Sequence, residues 1–176
     1  MVKHFFITVL LILAAILIGG YFVVVRGMLP ANADGKPPFL EKWAARTSLH
    51  ATIERESPKI PNPQAFNDAN LIAGIKLYAV NCAVCHGASD GALSNISIGL
   101  YQHAPPLMKH GVEDDPEGET FWKVKHGIRL TGMPSYSGTL TEKDIWNITL
   151  FLKHMDALTP KAQKVWKAVP SAASNT

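Results

Sequence analysis

From Phe5 to Val25 no residue carries a charge and nearly all are apolar, FFITVLLILAAILIGGYFVVV. At ~1.5 Å rise per residue such a helix reaches roughly 30 Å, the thickness of a bilayer's hydrocarbon core. The pattern predicts a transmembrane signal anchor over residues 1–26, with 5–25 in the membrane. Lys3 precedes the run and Arg26 follows it, so the flanking charges barely distinguish its two ends. A cleaved signal peptide competes, because Ala31-Asn32-Ala33 resembles a small-residue cleavage site. Against it, the apolar run exceeds the ~7–15 residues usual for a signal peptide and stops well before that site.

The texture then changes. Pro30, Pro37, Pro38, Pro58, Pro61 and Pro63 punctuate a linker over 27–66, since proline cannot continue a helix interior. Within it, Leu40, Trp43, Ala44, Leu49 and Ile53 fall roughly on one helical face, predicting a single amphipathic helix over 39–56. It serves as a spacer, lies along the next domain, or meets a membrane partner. A compact domain follows over 67–158. Its first helix, near 69–81, carries Leu71, Ile72, Ile75, Leu77 and Tyr78. Its last begins at Thr141, a good N-cap with Asp144 three residues on, and runs through Ile145, Trp146, Ile148, Phe151 and Leu152 to Met155. Pro160 stops it, and residues 159–176 form a tail with room for a short helix over 161–169. No sustained alternation of β-branched residues occurs, so the fold class is all-α.

Composition adds little: 47% hydrophobic, 18% charged, net charge +3. No basic run is interleaved with aromatics, which argues against a nucleic-acid partner. The chain has 2 cysteines, and their spacing is what informs.

Cys82-Ala83-Val84-Cys85-His86 is the C-x-x-C-H haem-attachment signature. Two thiols add to the two vinyl groups of haem, and the adjoining imidazole meets one axial face of the iron. A thioredoxin-like disulfide needs a preceding strand and a parallel sheet, and a zinc site needs further ligands; neither is in sight. One pair implies one covalent haem c. The best second axial ligand is Met133, in the Gly/Pro-punctuated loop Leu130-Thr131-Gly132-Met133-Pro134-Ser135-Tyr136. Met108, His103, His110 and His126 are rivals. Met155 suits core packing, Met1 and Met28 belong to the anchor region, and His4, His50 and His154 look peripheral.

With these residues in place, the stretch from Asn70 to Leu158 resembles the class I cytochromes c, in particular bacterial monohaem domains of membrane-bound oxidases and dehydrogenases. The resemblance rests on the helix with Gly74 and Tyr78, then CAVCHG, HGIRLTGMPSY and TEKDIWNITLFLKHM. It implies a haem crevice between first and last helices that cross closely at Gly74, against the face carrying Ile148 and Phe151. It also implies His86 as proximal ligand, Met133 as distal ligand, and a proline carbonyl, Pro105 or Pro106, holding the second imidazole nitrogen. Trp122, Arg129 and Tyr136 are candidates for the haem propionates or for packing. The long front end falls outside the resemblance.

The expectation is a one-electron carrier rather than an enzyme, with no small-molecule substrate. It is a tethered shuttle or a subunit of a respiratory or dehydrogenase complex, with redox proteins as partners and the haem domain outside the cytoplasmic membrane. The alternative is a catalytic or gas-sensing subunit with an open iron site.

Overall fold

The computed structural model describes residues 2–109 and 111–171. Met1, His110 and residues 172–176 of the expected tail lie outside the described residues. Among the described residues the secondary structure is entirely helical, with eight helices and no strand, as the sequence pattern predicts.

The chain divides into two units, 1–33 and 34–176. The first is α1, Val2–Val25, whose side chains bury nothing. It closes in a Schellman motif. Gly27 takes φ 63°, its amide bonds to the Val24 carbonyl, and the Met28 amide bonds to Val23, both at 3.0 Å. The helix is long and apolar enough to cross a membrane.

The second unit holds α2 (Phe39–Glu56), α3 (Asp68–Asn81), α4 (Ala83–His86), α5 (Asn95–Gly99), α6 (Glu117–His126), α7 (Glu142–Lys153) and α8 (Pro160–Lys167). Helix α7 is the spine: every residue from Ile145 to Leu152 is buried. Its start is fixed by a capping box, in which the Asp144 amide donates to the Thr141 hydroxyl and the Thr141 amide donates back to the Asp144 carboxylate. Such a cap is worth about 1 kcal/mol.

Helices α3 and α7 meet at Gly74. A Cβ there would stand 2.1 Å from the Asn147 carbonyl oxygen and 3.0 Å from Phe151 Cβ. Only a bare Cα admits this approach, which seals Leu71, Ile75, Tyr78, Ile148 and Phe151 from solvent. Full burial of such side chains contributes about 1.5–3 kcal/mol each. Helix α8 covers the crossing. Its N-cap Thr159 bonds to Asp68 at 2.6 Å, and Trp166 makes edge-on contacts with Tyr78 and Phe151 at 5.5 and 5.0 Å.

The Pro-rich stretch after α2 is fastened to this body. Ile53 and Ser57 are buried, and Pro58 crosses α6 so closely that a Cβ on Gly118 would meet its carbonyl at 1.8 Å. Asn62 donates to the Trp146 carbonyl at 3.1 Å. The single apolar face expected for α2 does not hold. Ile53 is buried while Leu40 and Trp43 stay exposed. At about 100° per residue, the thirteen steps from Leu40 to Ile53 carry the side chain to the other side of the helix.

Candidate functional site

The site begins where α3 ends. Cys82 caps α3, its amide donating to the Tyr78 carbonyl at 2.8 Å. The chain then turns once through α4, with the amides of Cys85 and His86 both bonding back to the Cys82 carbonyl. One turn therefore puts the two thiols at i and i+3 on one face, followed at once by the imidazole. Gly87 ends the turn at φ 85°, and its carbonyl accepts from the buried Tyr78 hydroxyl at 2.9 Å. Burial, then Cys85, pushes the Cys82 thiol up to about 12, so it is protonated at neutral pH. The two cysteines are free rather than bridged.

His86 is held from the segment 105–107. Its Nδ1 lies 2.9 Å from the Pro105 carbonyl, and its own carbonyl accepts from the Leu107 amide at 3.2 Å. A carbonyl can only accept, so Nδ1 carries the proton and Nε2 keeps a free lone pair. Burial lowers the imidazole's affinity for a second proton, with the Pro105 bond opposing. Of the two candidate prolines, the structure selects Pro105.

Met133 sits in a loop tied at several points. The Ile128 amide bonds to the Met133 carbonyl at 3.1 Å, and the Met133 amide donates to the Thr131 hydroxyl at 3.1 Å. Gly127, at φ 67°, lies against Met133 and Pro134, whose oxygens would be within 2.7 Å of a Cβ. Ser135 and Ser137 both bond to the Lys125 carbonyl at the end of α6. Met133 packs half-buried against the same core that Cys82 and Leu107 join. Tyr136 links the two halves of the site, its hydroxyl donating to the Asn81 carbonyl at 2.7 Å, one residue before Cys82. Burial first, then the nearby Cys82 and Cys85, pushes that hydroxyl up to about 12.

The rival ligands fall elsewhere. His126 is exposed, its ring 5.0 Å from Trp122, and it lines an open cleft with Glu56, Pro58 and Glu142. His103 and Met108 are exposed, and Met155 is in the core. His50 is exposed on α2, and His154 packs against Phe66 at 4.5 Å. His110 lies outside the described residues. Arg129 is exposed. Among the described residues no three His, Cys, Asp or Glu side chains converge as a metal cluster.

The donor set fits a haem. It offers two thiols one turn apart, an imidazole with Nε2 left free by Pro105, and a half-buried thioether on a second loop. The surrounding segments carry apolar side chains in solvent, Val84 at 41% and Leu130 at 90% exposed, as suits a flat apolar group. Sequence reasoning missed the Tyr136–Asn81 and Tyr78–Gly87 bonds. Both are side chain to backbone, and no motif announces them.

Comparison with known proteins bears on the domain that carries these residues. The family model described as cytochrome c oxidase, cbb3-type, subunit III, matches residues 69–152. The cytochrome c6 of Parathermosynechococcus lividus is 27% identical over 88 residues, 48% of this chain and 88% of that protein. No solved structure matches the chain significantly.

Proposed function

Since residues 69–152 are a cytochrome c domain, which implies electron transfer through haem, we propose that this chain passes single electrons through one haem c bound at Cys82 and Cys85 and ligated by His86 and Met133. The observation that carries the ligation is the Pro105 bond to Nδ1 of His86, which leaves the opposite ring nitrogen ready to coordinate.

Haem, when bound, supplies an iron that gains and loses one electron. The chain's own residues do the rest. The α4 turn fixes both thiol attachment points. Pro105 holds the imidazole in one orientation and one tautomer, and burial keeps it neutral, so Nε2 stays a ligand at neutral pH. The bonds around Thr131, Ile128 and Tyr136 steady the Met133 thioether. Ligands held this firmly reorganise little between oxidation states. An imidazole paired with a thioether raises the reduction potential and suits electron transfer over open-site chemistry.

The apolar helix α1 reads as a retained membrane anchor, with the haem domain on the outer side of the membrane. The family description names a subunit of an oxidase, which supports a place in a respiratory complex. The Pro-punctuated tether supports the second reading, a shuttle working close to the membrane. Extraction in mild detergent separates them: the haem migrates with a stable assembly if the chain is a subunit, and alone if it is a shuttle.

Met133→Ala tests the ligand. The variant should keep its covalent haem, lose the methionine–iron absorption feature of the oxidised protein, and bind carbon monoxide rapidly when reduced. Survival of that feature would remove Met133 from the site.

A further inference from the structure

The first half of α2 is bare. Residues 39–48 are all exposed, with Phe39 at 84%, Leu40 at 68% and Trp43 at 55%. The helix is fastened at its far end, where Ile53 is buried, and by the Tyr101 hydroxyl donating to Glu41 at 3.1 Å. Phe39, Leu40, Trp43 and Ala44 stand at i, i+1, i+4 and i+5, which is one helical face. Lys42 and Arg46 run beside it, forming a shallow groove with Phe39, Trp43 and Thr47. Glu41, the carboxylate of this half, is engaged by Tyr101.

Contiguous apolar exposure of this kind marks an interaction surface. Its edge identifies the occupant. An aromatic and aliphatic stripe bordered by Lys and Arg suits the boundary between lipid headgroups and acyl chains. There tryptophan is at home, and basic side chains extend their stems toward phosphates. Chain continuity points the same way. Residues 26–38 join Val25 to Phe39, and at no more than ~3.6 Å each they span under about 50 Å. With α1 in a bilayer, the stripe is confined near its surface at high effective concentration.

We propose that the N-terminal half of α2 docks on an anionic bilayer surface, burying Phe39, Leu40 and Trp43 among lipids and setting Lys42 and Arg46 against their phosphates. This rests on the reading of α1 as a retained anchor. Docking of α2 fixes the height and tilt of the body to which Ile53, Pro58 and Asn62 fasten it, and so restricts which membrane partners the haem can face.

The test uses the full-length haem protein in vesicles of phosphatidylethanolamine and phosphatidylglycerol. Single cysteines introduced as Thr47→Cys on the stripe, Ala45→Cys on the opposite face and Leu13→Cys in α1 carry a nitroxide; thioether-bound Cys82 and Cys85 do not react. Labels at 13 and 47 should collide mainly with lipid-soluble oxygen, and the label at 45 mainly with a water-soluble nickel chelate. Replacing Lys42 and Arg46 by Gln should shift the position-47 population toward water by about twenty-five-fold, about five-fold per charge. A label at 47 as water-exposed as that at 45, while 13 reads as lipid, overturns the docking and leaves the anchor standing. That result would also be the mark of a stripe that awaits a protein partner. A label at 13 outside the lipid overturns the anchor reading and this inference together.

Discussion

The hydroxyl of Tyr136 donates to the carbonyl of Asn81 at 2.7 Å, joining the Met133 loop to the end of the helix that delivers Cys82. The two proposed axial ligands belong to segments far apart in sequence, α4 and the Met133 loop, and this bond is a direct strut between their supports. Tyr136→Phe removes it. The expected cost is about 1 kcal/mol, read as a lower denaturant midpoint, together with tighter binding of added imidazole as the Met133 side loosens. The same residue gives a pH signature. Its hydroxyl is raised above the ordinary 10.0, so the unfolded chain releases that proton first as pH rises. Burial alone gives that direction in the haem protein, so the stability contribution is whole below pH about 10 and is lost as pH climbs from there toward the raised folded value. Denaturant midpoints should therefore fall across that window, and fall less in Tyr136→Phe.

The crossing of α3 and α7 leaves no room at Gly74. Gly74→Val must push the Asn147 backbone away, and overpacking of this kind costs about 1–3 kcal/mol or more. Because the same crossing carries Tyr78, whose hydroxyl pins the end of α4, thermal unfolding and haem retention should both suffer. An unchanged melting temperature would mean that the helices do not approach as closely as 2.1 Å implies.

In the loop before Met133 two residues have left-handed backbone, Gly127 at φ 67° and Leu130 at φ 61°. Gly127→Ala should destabilise, since its Cβ would be 2.6 Å from the Pro134 carbonyl. Leu130→Gly should do the reverse. Leu130 is 90% exposed, and left-handed backbone costs a branched residue about 1–2 kcal/mol, of which the added flexibility of glycine cancels part. A gain of up to about 1 kcal/mol in chemical denaturation is expected.

Legibility from sequence followed the range of the interactions. Helix α7 and its cap could be read directly, because the Thr141–Asp144 exchange and the apolar stripe are local. So could the extent of α2. What escaped depends on contacts distant in sequence. Trp166 reads as a lone aromatic in a short tail helix until Tyr78 and Phe151 are seen beside it. Gly118 carries no local signal; its role appears only where Pro58 crosses α6. The five-residue α5 depends on Ser94, which accepts from the Ser97 amide and donates to the Val84 carbonyl. At the site, the motif named the thiols and the imidazole, but Pro105 and Pro106 are neighbours with identical carbonyls. Only the folded path from Leu107 back to His86 separates them.

The most direct test of the account is the intact mass of the purified, acid-denatured chain. The expected value is that of the polypeptide plus one haem that denaturation does not remove. A colourless polypeptide at its bare mass, lighter by two hydrogens for a bond between Cys82 and Cys85, would contradict it.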